Sequence, residues 1–325
     1  MSLRTYVFRR SLYSIPLVFF VILFNFILIH SAPGDPVIYL YGHLDVSGEQ
    51  MEIIREQMGL RDPLYRQFLT YLSRILTGDL GYSFYFRQPV IELFAQGLPA
   101  TLMLMFASIL PATVIGVILG VIAAKHARSR ADYLISTLAI YGYSFPVFWG
   151  GMVSILIFSV WLGWFPAMGM TTLTAAQAKT GVDYYVDVLR HLFLPAIVLG
   201  MWYLASYVRF TRASMLEVLE KDYIITARSK GLEDNQILFK HALRNALLPV
   251  LTVVGLNLGM VFTGAVITET VFAWPGIGSL LQAGIVSRDY TLLMGGFLIT
   301  SICVVFANLV TDCMYAILDP RITYK

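Results

Sequence analysis

The sequence predicts an all-α, polytopic membrane protein, and three observations carry that prediction. Hydrophobic residues make up 58% of the 325 positions, charged residues only 13%, and mean hydropathy is +0.71. A soluble domain carries about 25% charged residues, so the deficit is too large for ordinary soluble cores, although the length alone would allow two. The apolar residues also gather in runs near the roughly 20 residues that cross a bilayer core of about 30 Å. Finally, Lys and Arg concentrate in alternate connections between those runs, the bias that sets membrane topology.

The first run, Ser11–Ile29, follows Arg9 and Arg10. It exceeds the roughly 7–15 apolar residues of a signal peptide and lacks a small-residue cleavage site, so it is expected to remain as the first span. The other runs are Leu98–Ala124, Tyr133–Leu162, His191–Phe210, Leu247–Val271 and Thr291–Ile317, giving about six spans. Arg4, Arg9 and Arg10 lie before the first run. Lys125, Arg128 and Arg130 follow the second, and Arg212, Lys221, Arg228, Lys230, Lys240 and Arg244 follow the fourth. The shorter opposing connections hold only Lys179, Arg190 and Arg288, while residues 32–97 hold five Arg beside eight Asp or Glu and weigh little because of their length. Both termini are therefore expected in the cytoplasm.

Residues 32–97, between the first two runs, are too polar to span and too long for a simple connection. Gln50–Met58 and Leu64–Leu76 are compatible with helices, and Pro63 is placed to start the second of them. A small helical cap on the outer face is expected, serving either as a structured connection or as a docking surface or gate. The chain thus divides into 1–97, a first helix with its external cap, and 98–325, a five-helix core whose cytoplasmic loop covers 213–246.

Some features read as packing. Gly116 with Gly120, and Gly255 with Gly259, have the spacing that lets helix backbones approach. Cys303 and Cys313 sit in one apolar run without metal-ligand spacing or a polar setting, and behave as small hydrophobes. The net charge of +3, with no basic stripe interleaved with aromatics, gives no reason to expect a nucleic-acid partner.

The connection 213–246 is the most informative segment. Lys221–Gly231 suits a short helix stopped at a glycine, with Arg228 and Lys230 in its last turn. Glu233 and Asp234 favour a new helix start, and Lys240, His241 and Arg244 lie toward its far end. Two short helices joined at a glycine can pass a push from a soluble partner to the spans. On the residues alone, a positively charged topological loop reads equally well.

That loop resembles the cytoplasmic EAA loop of binding-protein-dependent ABC importer permeases. More narrowly, the chain is similar to the first permease subunit of dipeptide and oligopeptide importers. The matching stretches run from end to end: Pro33-Gly-Asp-Pro36, Gly78-Asp-Leu-Gly-Tyr-Ser83, Leu98-Pro-Ala-Thr101 and Phe145-Pro-Val-Phe-Trp-Gly150. They continue through Thr226-Ala-Arg-Ser-Lys-Gly231, His241-Ala-Leu-Arg-Asn-Ala-Leu-Leu-Pro249, Glu269-Thr-Val-Phe-Ala-Trp-Pro-Gly276, Arg288-Asp-Tyr290 and Leu318-Asp-Pro-Arg321. Each is weak singly, and their joint order is specific. Ile225-Thr226-Ala227 stands where the general signature has Glu-Ala-Ala, and the gap to Leu248-Pro249 is longer, as is usual for the peptide-importer branch.

The resemblance implies a type I importer permease fold in the cytoplasmic membrane of a prokaryote. It implies a second homologous permease subunit, two ATPase subunits or domains, and an external solute-binding protein. The chain has no Gly-x-x-x-x-Gly-Lys-Ser/Thr phosphate loop. ATP and Mg are therefore expected on the ATPase partners, with no cofactor, metal or catalytic residue in this chain. Ala227, Arg228, Ser229, Lys230 and Gly231 are the positions the resemblance implies in a cleft of the ATPase. Peptides are the implied solute, with nickel, glutathione and oligosaccharides carried by relatives.

Asn25, His30, Asn257, Glu269, Asn308 and Asp312 lie in or near apolar runs. Ionisable groups there are costly and by default point to a lined pathway. Asp79, Asn257, Glu269 and Asp312 are the candidates for a pathway or gate. A secondary transporter or channel would need charge relays or broken helices at mid-membrane, and intramembrane charges are few. An intramembrane enzyme would need a nucleophile and base within reach, and no His lies mid-span beside Ser144 or Ser154.

Overall fold

The computed structural model describes residues 3–31, 37, 47–57, 59–172, 181–259 and 265–318, with side chains at all of these but 3–11, 29, 57, 259, 307 and 310–318. Helix α1, Leu3–His30, carries Pro16 within it. The expected outer cap contains α2, Gly48–Gln57, and α3, Leu64–Leu76. Ser47 and Gln50 start α2 as a capping box: the Ser47 N–H donates to Gln50 Oε1 at 3.0 Å and the Gln50 N–H to Ser47 Oγ at 3.3 Å. Pro63 is the N-cap of α3. That helix sets Phe68 and Tyr71 against Phe26 of α1, with ring centroids 5.3 and 6.1 Å apart. Burial pushes the Tyr71 phenol up to about 12, so it stays a neutral donor. A two-residue hairpin of β1, Tyr82–Ser83, and β2, Gln88–Pro89, then leads into the core.

The core is built on α4, Val90–Lys125, and α7, Val182–Leu219. Both bury small residues where they cross. A Cβ on Gly116 would stand 2.7 Å from Tyr207 Cβ, and one on Gly120 would stand 2.5 Å from Thr211 Cβ. On α7, a Cβ at Gly200 would meet Ser108 O at 3.2 Å. Without bilayer water to drive helices together, such close contact supplies the attraction. Leu104, Met105, Ile109, Leu199, Tyr203 and Tyr207 fill the seam, with Trp274 against it.

Between them run α5, Arg130–Ser144, and α6, Val147–Ser154, the latter continued by wider π turns through Ile155–Trp161. The sequence reads Tyr133–Leu162 as one span, and the structure breaks it: the two helices meet at 96°. Pro146 is the cause. The residue before a proline is driven from helical to extended backbone, and Phe145 has φ −79° and ψ 131°.

After α7 comes α8, Asp222–Ser229. Helix α9 follows as Asp234–Gln236, π turns at Ile237–Ala242, and Leu243–Gly259. The expected span Leu247–Val271 is also divided. Its far part is a separate short helix, α10, Val266–Val271, while residues 260–264 lie outside the described residues. Two more helices follow among the described residues: α11, Ile277–Val286, and α12, Tyr290–Leu318. The sequence reading took 274–290 as a connection and missed α11.

By length and composition, α4, α7 and Asp234–Leu258 can each cross a membrane; the bent α5–α6 pair is either a broken fourth span or a re-entrant loop. The apolar stretches Leu12–Leu28 and Tyr290–Phe306 lie within helices of 28 and 29 residues. The expected runs Ser11–Ile29, Leu98–Ala124, His191–Phe210 and Thr291–Ile317 each fall within one of these helices, whereas Tyr133–Leu162 and Leu247–Val271 are divided. At about 1.5 Å per residue, α4 and α7 are roughly 54 and 57 Å long. They exceed a bilayer core of about 30 Å and project beyond it.

Candidate functional site

The projecting ends of α4 and α7 meet the start of α9 at the end expected in the cytoplasm. Val121 and Ala124 of α4, Met215 and Val218 of α7, and Ile237, Leu238 and Ala242 of α9 form one apolar cluster. Helix α8 lies on that platform with Ile224 and Ala227 turned inward and buried. Lys125 Nζ adds a bond to Asn235 Oδ1 at 3.2 Å, tying α4 to α9. Beside the platform, Arg212 of α7 grips Asp132 of α5 with two bonds of 2.6 and 2.8 Å. The Arg128 N–H also donates to that carboxylate at 2.8 Å, so the α4–α5 connection is anchored to α7.

Gly231 ends α8 as the sequence predicts. Its φ is +75°, in the left-handed region that side chains resist. The Gly231 N–H donates to Arg228 O at 2.9 Å and the Leu232 N–H to Ala227 O at 3.4 Å. These two bonds are those of a Schellman terminus, and Leu232 packs into the same apolar cluster as Ala227.

Five neighbouring positions therefore divide. Arg228, Ser229, Lys230 and Gly231 are exposed, whereas Ala227 faces its own chain. Ala227 seats the helix; the other four present a surface. Around them, Ile225 and Phe239 are 54% and 60% exposed, and Tyr223 is 41% exposed. Apolar side chains standing out beside cations on a short, rigidly seated helix make a surface suited to a protein partner.

The pathway candidates are dispersed. Asp79 is exposed and accepts the Gly81 N–H at 2.8 Å, forming a turn between Gly78 and Gly81, both of positive φ. Asn257 donates through Nδ2 to the Tyr207 hydroxyl at 3.0 Å, joining α9 to α7. The Asp312 side chain lies outside the described residues. Glu269 is fully buried. It accepts from Thr101 Oγ1 at 2.7 Å and from the Ser279 N–H, in the first turn of α11, at 2.9 Å. Thr101 in turn accepts the Ile277 N–H at 2.8 Å, and the Trp274 indole donates to Ala100 O at 2.8 Å. In this chain Glu269 clips α4, α10 and α11 together.

Leu98–Thr101 and Glu269–Gly276, separate stretches in the sequence, form one site in the structure. The same holds at the hairpin. Ser83 Oγ donates to Asp289 Oδ2 at 2.6 Å, and Asp289 Oδ1 accepts the Leu292 N–H at 3.0 Å at the start of α12. The motifs themselves are visible in the sequence; which of them pair in space is not.

An apolar cluster seating a short, half-exposed helix on the ends of bilayer-length helices defines a membrane protein with a surface suited to a protein partner. Comparison with known proteins agrees. The chain belongs to the family described as the binding-protein-dependent transport system inner membrane component, matched over residues 116–324, and the N-terminal part of such components matches residues 3–105.

The chain is 43% identical over 333 aligned residues to the di/tripeptide transport system permease protein DppB of Pseudomonas aeruginosa, with 99% of each chain covered. It is 42% identical to the oligopeptide transport system permease protein AppB of Bacillus subtilis, over 98% of this chain and 99% of that one. It is 39% identical to the glutathione transport system permease protein GsiC of Escherichia coli, again over 98% and 99%. Among solved structures, a chain of the inward-facing MetNI methionine ABC transporter superposes with a TM-score of 0.56 at 19% identity, covering 70% of this chain and 96% of that one. That likeness concerns the fold.

Proposed function

We propose that this permease subunit forms half of the translocation pathway of an ATP-driven importer of peptides, in the cytoplasmic membrane of a prokaryote. A second homologous permease completes the pore. Two ATPase subunits carry ATP and Mg, and an external binding protein delivers the solute. The observation that carries the reading is α8, buried on one side against α4, α7 and α9 and exposed on the other through Arg228, Ser229, Lys230 and Gly231. A displacement of that helix must move the ends of three long helices with it, because interiors are close-packed and transmit strain. Peptides are proposed because relatives named for di-, tri- and oligopeptides align over nearly the whole chain.

The test is uptake into vesicles that carry the assembled complex and its binding protein. Labelled dipeptide should accumulate only with ATP inside, and dissipating ion gradients should leave accumulation intact. Uptake that follows an ion gradient without ATP would replace this reading with a secondary transporter. Mass spectrometry of what the cognate binding protein retains on purification identifies the solute.

A further inference from the structure

A groove of about 490 Å³ opens where α6 folds back beside α7, lined by Phe145, Trp149, Phe158, Trp164, Phe193 and Trp202 among others. Its lining carries no charged side chain, and its one hydroxyl, on Ser154, is already committed to Gly151 O at 2.7 Å. Beyond the indole N–H groups of Trp149, Trp164 and Trp202 the lining offers a peptide backbone few polar partners, and each group left unpaired costs several kcal/mol.

One end of the groove leads to a cation. Tyr143 stacks on Trp202 with centroids 5.5 Å apart, and the Arg209 guanidinium lies 5.3 Å from the Tyr143 centroid and 5.6 Å from that of Phe210. Arg209 is exposed, and among the described residues it makes no ion pair with a carboxylate. Phe193 and Arg209 lie on one continuous helix, about 24 Å apart along its axis. Half of a bilayer with its headgroups measures about 20–22 Å. An apolar slot, aromatic rings and a cation thus succeed one another over the depth of one leaflet.

We propose that this groove is a binding site for an anionic phospholipid, with an acyl chain along α7 between Phe193 and Trp149 and the phosphate at Arg209. The test uses the purified membrane complex that contains this chain, reconstituted with phosphatidylcholine alone or mixed with phosphatidylglycerol. Lipid retained through detergent washing is then counted by native mass spectrometry. Phosphatidylglycerol should be retained roughly fivefold over phosphatidylcholine, the effect of one basic residue near an anionic headgroup. Arg209→Gln should remove that preference. Gly150→Leu should lower retention of both lipids, since a Cβ there meets only Val198 Cγ1, at an ordinary 3.7 Å, and its side chain enters the groove. Inorganic phosphate should displace neither.

Equal retention of the two lipids by the parent, or an unchanged preference in Arg209→Gln, would overturn the proposal. So would displacement by inorganic phosphate, or retention unaffected by Gly150→Leu. A photoreactive residue at Trp149 should label lipid; if it captures the second permease instead, the groove is a subunit interface.

Discussion

Gly231 has a left-handed backbone with no heavy atom within 4 Å of where a Cβ would stand. Any penalty for a side chain within this chain is therefore conformational, roughly 1–2 kcal/mol for a residue that resists φ > 0. Asn adopts that region more readily than Val. Gly231→Val is expected to insert normally yet recover less ATPase on purification and lose most solute-stimulated hydrolysis, while Gly231→Asn keeps most of both. Parent-like coupling in Gly231→Val would leave α8 as a topological loop. Equal failure of both variants would mean that the partner's surface, rather than the backbone, excludes a side chain.

Glu269 calls for a different measurement. Removing its carboxylate leaves the Thr101 hydroxyl and the Ser279 N–H buried without acceptors, at about 1–3 kcal/mol each. Glu269→Ala should lower Tm more than Glu269→Gln, which keeps one acceptor oxygen. Uptake per folded complex should hold. Unchanged Tm with abolished uptake would return Glu269 to a pathway role. Residues that act through their own backbone, such as Gly231 and Pro63, were legible in the sequence. The contacts of Glu269 were not, because its partner Thr101 lies 168 positions away.

At the scale of elements, legibility followed the same division. Pro63 and the apolar pattern foretold Leu64–Leu76 because start signals are local. The 96° bend was missed although Phe145-Pro146 was in view, because a proline within membrane helices is often absorbed without a break. α11 was missed because its burial against α4 and α12, by Ile277 and Leu281 among others, is a tertiary fact. The cap is the element whose purpose is most open to experiment. It rests on α1 through Phe68 and Tyr71, and Tyr71 reaches Met294 O of α12 at 3.5 Å. Since α12 is continuous with the Asp289 site that holds the hairpin, the cap touches the outer ends of helices without belonging to the core. Deleting Ser47–Ser73 should therefore leave membrane insertion intact and impair uptake, read as labelled solute accumulated per inserted complex. Normal uptake by a correctly inserted deletion would reduce the cap to a connection.

For the whole molecule, the remaining physical question is direction. The positive-inside bias assigns the α8 end to the cytoplasm and the cap to the outside. An importer driven from α8 requires that same arrangement, since ATPases are cytoplasmic and binding proteins external. Two exposed serines report the two ends, Ser73 on α3 and Ser229 at the end of α8. In a background lacking Cys303 and Cys313, Ser73→Cys is expected to react with a membrane-impermeant thiol reagent added to intact cells. Ser229→Cys should react only after the membrane is opened, and binding of the ATPase should slow even that reaction, because the docked subunit covers the exposed face. Each substitution places a small side chain on a solvated surface, where effects on stability stay within about 0.5 kcal/mol, so failure to label reports access rather than misfolding. Labelling of Ser229→Cys in intact cells, with Ser73→Cys protected, would invert the molecule, and an inverted α8 has no ATP-driven partner to receive.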